Sequence, residues 1–128
     1  MNGSIRILLV EDSTIDAELV ARVFRRHGNF EFARVDTSST LRAAIKNQMW
    51  DIIISDYRMP GFSGMTALAI VRCRDKDVPF ILLSGLMEEA TMRLAIVAGA
   101  SLCLLKGAHE QLVSGTLSEL KKRELAIA

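Results

Sequence analysis

Four short apolar runs in this chain each end on a polar residue. Ile5-Arg6-Ile7-Leu8-Leu9-Val10 leads to Glu11 and Asp12, Ile52-Ile53-Ile54-Ser55 to Asp56, Phe80-Ile81-Leu82-Leu83 to Ser84, and Leu102-Cys103-Leu104-Leu105 to Lys106. The runs have strand length, well short of the roughly 20 residues that span a bilayer. Near-continuous apolar runs without alternation predict parallel strands buried on both faces. If these strands are neighbours, three carboxylates, one hydroxyl and one ammonium meet at one rim. Such a rim suits a divalent cation and a phosphoryl group.

Helical patterns separate the runs. Ser13 with Asp16 predicts an N-terminal cap. Ile15, Leu19, Val20, Val23 and Phe24 then recur at helical spacing until His27-Gly28. A short strand is expected around Phe32 to Val35, and Ser38 is expected to cap a second helix carrying Leu41, Ala44 and Ile45. Met59-Pro60-Gly61 delays the next helix, expected over Gly64 to Arg74 with Met65, Leu68 and Val71 on one face. Pro79 opens a strand, where a missing amide donor is tolerated. A fourth helix starts near Glu88-Glu89 and stops at Gly99; a fifth carries Val113, Leu117 and Leu120. Gly115 inside that last helix costs about 1 kcal/mol against alanine and predicts a soft middle. Five such β-α units imply an α/β fold: a flavodoxin-like, doubly wound, five-stranded parallel sheet in the order 2-1-3-4-5 with helices on both faces. Sites in these sheets lie at the carboxyl ends of the strands, near the switch point between the first and third. Those two strands end on Glu11-Asp12 and Asp56.

The 128 residues fit a single domain, 1–128, with 121–128 read as a helical extension or linker. Sixteen basic against 15 acidic residues leave a net charge of +1, which points to neither nucleic acid nor a membrane surface as a direct partner. The basic clusters Arg25-Arg26-His27 and Lys121-Lys122-Arg123 fall where cations complement late helical turns. Cys73 and Cys103 stand in no metal-binding or redox spacing, and Cys103 reads as a small buried side chain. Two unpaired thiols and no signal-peptide pattern give a cytoplasmic expectation.

Each site residue also has a plain reading. Glu11-Asp12, taken alone, is a polar loop, and Asp16 belongs to the helix cap. Together the acids repel one another, and Mg²⁺, which prefers hard oxygens and keeps several waters, would relieve that. Asp56 alone could cap a turn, but a carboxylate in that company can act as a nucleophile toward phosphorus and form an acyl phosphate. Ser84 is a strand-ending hydroxyl or a phosphoryl ligand, with Gly85 letting a backbone amide come close. Lys106 at the end of an apolar run calls for an anionic partner.

These pieces together resemble the receiver domain of bacterial two-component response regulators. The resemblance rests on Ile7-Leu8-Leu9-Val10-Glu11-Asp12-Ser13, Asp56-Tyr57-Arg58-Met59-Pro60-Gly61-Phe62-Ser63-Gly64, Leu83-Ser84-Gly85 and Leu105-Lys106, and covers essentially the whole chain. It implies that Asp56 is a phosphoacceptor for a sensor histidine kinase or phosphotransfer protein. It further implies that Asp12, Asp56 and the backbone carbonyl of Arg58 hold Mg²⁺, with Glu11 contacting it through water. Ser84 would be the switch hydroxyl and Lys106 the charge partner of the phosphoryl group. A domain of this kind is a signalling switch that phosphorylates and dephosphorylates itself, not a turnover enzyme.

Two positions depart from the family. Gly107 follows the lysine where proline is usual, commonly through a cis peptide; a cis bond without proline costs about 2.5–4 kcal/mol, so a trans bond in a rearranged loop is expected. Cys103 replaces the aromatic ring common three residues before the lysine, so the signal is expected to leave near Phe62 or Leu86-Met87, or by a changed helix pairing. The leading alternative is a pseudo-receiver, an interaction domain that is never phosphorylated. An aspartate-nucleophile phosphatase or dehalogenase is disfavoured by Arg58, where such enzymes carry a second acid. A flavin-binding domain is disfavoured by acids where phosphate would sit. Kinase, output protein or domain, and a homodimer through the fourth and fifth helices are left open.

Overall fold

The computed structural model describes residues 3–86 and 88–127. The elements alternate as β1 (Ile5–Val10), α1 (Thr14–Arg25), β2 (Phe30–Val35), α2 (Ser38–Asn47), β3 (Ile52–Asp56), α3 (Gly64–Arg74), β4 (Phe80–Ser84), α4 (Glu89–Ala98), β5 (Leu102–Leu105) and α5 (His109–Ile127). The strands form one parallel sheet in the order β2-β1-β3-β4-β5, as the pattern of runs predicts. Met87, one of the residues near which signal exit is expected, lies outside the described residues.

Period-two alternation divides each apolar run between two cores. Ile7, Leu9, Ile52, Ile54, Ile81 and Leu83 face α1 and α5, meeting Val20, Phe24, Leu112 and Val113. Leu8, Val10, Ile53, Phe80 and Leu82 face the other way, toward Leu41, Leu68, Val71 and Ala95 of α2, α3 and α4. Burying one such aliphatic side chain stabilises the fold by about 1.5–3 kcal/mol. The register Leu8↔Ile53 and Ile53↔Phe80 keeps the rows level, so β1, β3 and β4 finish at one rim.

Local signals set the helix ends. Ser13 Oγ accepts from the Asp16 amide at 3.1 Å, as expected. α3 starts at Gly64, as expected, behind a Ser63 cap, and Gly99 ends α4 with φ +113°. At α2 the cap is Thr37, one residue before the expected Ser38, because Thr37 and Thr40 satisfy each other's backbone amides in a capping box.

The edges differ from the sequence reading more than the centre does. β2 begins at Phe30, where the ring packs edge-on against Phe24 at 5.1 Å. β5 has only one strand neighbour, so its residues are half-exposed, and Leu105 is 44% exposed. Cys103 is therefore half-buried, and Lys106 does not end a fully buried run. On α5 the inward face runs through Leu112, Val113 and Thr116, while Leu117, expected inside, is 40% exposed. Gly115 has a packing reason that its helix propensity hides: a Cβ there would come within 2.9 Å of Leu102 Cδ1. The expected extension past Lys121 continues α5 to Ile127.

Candidate functional site

The rim carries the acids where the central strands end. Asp56 is the last residue of β3, which is buried throughout. Its carbonyl accepts from Ser55 Oγ at 3.0 Å, and the next amide, Tyr57 N–H, donates to Leu83 O at 2.8 Å. Gly64 closes the β3–α3 loop by donating to Tyr57 O at 2.8 Å. Only glycine fits there, since a Cβ would lie 2.6 Å from the Asp56 carbonyl oxygen and 2.5 Å from Leu82 Cδ1. The first helical residue of α3 thus packs against the backbone of Asp56.

Glu11 follows β1 and is held at both ends of its backbone. Its amide donates to Val35 O at 3.0 Å, and its carbonyl accepts from Arg34 Nη1 at 3.0 Å. Its Oε2 accepts from the Ser13 amide at 3.1 Å. Glu11 and Asp56 are 7% and 6% exposed, whereas Asp12 is exposed.

Lys106 reaches this cluster from the edge strand. Its amide donates to Ser84 O at 2.8 Å. Its ammonium lies 2.9 Å from Asp56 Oδ2, 3.0 Å from Asp16 Oδ2 and 3.2 Å from Glu11 Oε1. Burial works against the charged ammonium, but hydrogen bonds to Asp56 and Asp16 and the charges of Asp56 and Glu11 outweigh it and hold its pKa above the ordinary lysine value. Burial pushes the Glu11 carboxyl up, and the Asp56 charge adds to this; the Ser13 amide and Lys106 pull it down without cancelling the rise.

The structure thus brings together Glu11, Asp12, Asp56 and Lys106. Arg58 lies in the β3–α3 loop, two residues past Asp56. Ser84 stands at the same rim, but its hydroxyl is turned into its own turn, donating to Leu86 O at 2.6 Å and accepting from the Leu86 amide at 3.2 Å. Asp16 has its amide capped by Ser13, as expected, and beyond that its side chain pairs with Lys106. A signal for this was present, because helical side chains lean toward the helix N-terminus, which here points at the rim.

Glu11, Asp12 and Asp56 each offer one carboxylate oxygen, and these lie within 4.8 Å of one another. Three hard donors, two of them buried beside each other, fit a small divalent cation such as Mg²⁺. Gly107 has φ +92°, and among the described residues there is no cis peptide bond. Proline, fixed near −65°, cannot take that conformation, so the loop after Lys106 is built around glycine.

The comparisons with known proteins agree with this geometry. A family model described as the response regulator receiver domain matches residues 7–117. The DNA-binding response regulator MtrA of Mycolicibacterium smegmatis is 27% identical over 120 residues, 93% of this chain and 52% of that protein. The transcriptional regulatory protein PrrA of Mycobacterium bovis is 34% identical over 104 residues, 79% of this chain and 43% of that protein. The chain therefore spans about half the length of the curated relatives it matches. Among solved structures, the receiver domain of the sensor histidine kinase PA1611 from Pseudomonas aeruginosa PAO1, with magnesium coordinated in its active site cleft, superposes with a TM-score of 0.80. It is 22% identical, with 93% of this chain and 99% of that one covered, so the likeness is one of fold. An acidic pocket at the switch point, a lysine drawn into it from the edge strand and a family match over most of the chain lead to one conclusion: the chain belongs to the response regulator receiver domain family.

Proposed function

We propose that this receiver domain takes a phosphoryl group from the histidine of a kinase or phosphotransfer protein onto Asp56 and changes conformation in response. The observation that carries the reading is the buried Asp56 carboxylate, 2.9 Å from the Lys106 ammonium and grouped with Glu11 and Asp12. In the transfer an Asp56 oxygen forms a bond to phosphorus as the phosphorus–nitrogen bond of the donor breaks. The electron pair leaves on the imidazole, which takes up a proton. The rim positions the nucleophile through β3 and Gly64, and Lys106 offers a fixed positive charge to the incoming oxygens. Glu11, Asp12, Asp56 and the Arg58 carbonyl are the groups that would hold Mg²⁺, which when bound supplies charge neutralisation for carboxylates and phosphoryl oxygens alike. Phosphorylation would add about −1.5 to −2 charge beside Lys106, enough to re-seat a loop. Ser84 follows Leu83, the register partner of Asp56 on the neighbouring strand, and its bonds to Leu86 are the ones it would exchange.

The domain is read as a switch that acts on itself and not as a turnover enzyme. Its output lies in another domain or protein, working in the cytoplasm without direct contact to nucleic acid or membrane. Among the described residues, no helix is long and apolar enough to cross a membrane. The test is a titration with beryllofluoride and Mg²⁺ followed by amide NMR. Shifts at Asp56, Ser84 and Lys106 that vanish in Asp56→Asn are expected. Silence in both proteins would sink the phosphoacceptor reading and leave a pseudo-receiver.

A further inference from the structure

The Glu11 carbonyl stands where the β1–β2 ladder ends. In a parallel ladder a β1 residue donates to one β2 carbonyl and accepts from the amide two residues further along. Glu11 donates to Val35 O at 3.0 Å, so the next rung would run from the Thr37 amide to Glu11 O. That amide is taken elsewhere: it donates to Thr40 Oγ1 at 3.1 Å in the capping box that opens α2. The chain leaves the sheet there to start the helix, and the rung is lost. Glu11 is only 7% exposed, so a carbonyl left without a donor is costly. Arg34 supplies the donor from a side chain. Its Nη1 lies 3.0 Å from Glu11 O and 3.3 Å from Asp36 Oδ2.

This bond sets more than a strand end. The Glu11 carbonyl belongs to the peptide unit that leads into Asp12, and a peptide unit is planar. Fixing that plane fixes the direction in which Asp12 leaves the backbone. Glu11 and Asp56 are buried, but Asp12 is exposed. Its place in the group of carboxylate oxygens within 4.8 Å of one another therefore depends on its backbone. We propose that Arg34 is a positioning residue for the metal site: its guanidinium replaces the missing ladder rung and aims Asp12 at the cation. The proposal rests on the Mg²⁺ part of the function proposed above. Charge by itself predicts the opposite sign. Arg34 is a cation beside a cation site, so its removal would tighten Mg²⁺ binding if only its field counted. Removal weakens binding if Arg34 aims Asp12.

The test is a Mg²⁺ titration followed by amide NMR for wild type, Arg34→Met and Arg34→Ala. Both variants are expected to raise the Mg²⁺ midpoint about tenfold, the loss typical when a group that orients a metal ligand is removed. Before Mg²⁺ is added, both should shift the Asp12 amide and leave that of Leu82, in the core, where it is in wild type. Tighter or unchanged Mg²⁺ binding in the variants, or an Asp12 amide that does not move, would overturn the positioning role. Weaker binding with the Leu82 amide displaced as well would overturn it too, assigning Arg34 to the fold. In each of these cases Mg²⁺ binding by wild type keeps the metal reading. Absence of Mg²⁺ binding in wild type would overturn both.

Discussion

The centre and the edge of this sheet hold their site residues by different means. At the centre, β1 and β3 are covered on both faces, and the backbones of Glu11 and Asp56 are tied on either side by hydrogen bonds and by Gly64. At the edge, β5 has one strand neighbour and half-exposed side chains, and Lys106 is located by the hydrogen bond its backbone N–H donates to Ser84 O and by three ion pairs. Packing fixes the acids before any ligand arrives. Charge fixes the lysine, which leaves it free to answer a change of charge. On the proposed function, the first would be a phosphoacceptor that does not move and the second a partner that can.

Core truncations should break the comparison most strongly. Leu8→Ala, at a fully buried position facing α2 and α3, is expected to cost about 2–5 kcal/mol. Leu105→Ala, 44% exposed on the edge, should stay within about 1 kcal/mol. Urea midpoints of the two variants check this, and equal losses would mean that edge and centre are packed alike.

Gly64→Ala attacks the central device directly. A Cβ forced to within 2.6 Å of the Asp56 carbonyl has backbone on that side and cannot be accommodated by rotating a side chain. We expect a loss of about 1–3 kcal/mol together with weakened beryllofluoride uptake. Stability lost with uptake intact would show that Gly64 serves the fold and not the placement of Asp56.

At the edge, Gly107→Ala meets open space but must hold φ +92°, so a loss of about 1–2 kcal/mol is expected from the backbone alone. Gly107→Pro should cost more, since proline cannot adopt that angle at all. If Gly107→Pro were as stable as wild type, the loop would have a second conformation of equal energy.

The smallest effect concerns pH. The Lys106 pKa is raised in the folded state above the ordinary value of 10.5. A lysine so raised contributes stability that is complete below 10.5 and is lost as pH rises through the folded-state value. Wild type should therefore lose stability on the alkaline side faster than Lys106→Met. Parallel alkaline slopes in urea unfolding would show that the three ion pairs add nothing to the fold.

Much of this was legible along the chain. The runs that end at Val10, Asp56 and Ser84 are local facts, as are the Ser13 cap, the start of α3 and the stop at Gly99, because each depends on a few neighbouring residues. The errors fell where one residue's fate depends on a distant element. Leu117 and Thr116 are adjacent on α5, and only the angle at which the helix meets the sheet turns Thr116 inward. The half-burial of Cys103 follows from β5 lacking a second neighbour, which no apolar run records.

Sequence alone determined the α/β class, the strand order and the meeting of Glu11, Asp12 and Asp56 at the rim. Apolar runs, caps and right-handed crossovers leave few other ways to bury these side chains. Tertiary structure decided that Ser84 bonds to Leu86 and that Asp16 joins Lys106. A hydroxyl or a carboxylate chooses its partner by distances of about 3 Å, and those distances are fixed only when the sheet has brought remote segments together.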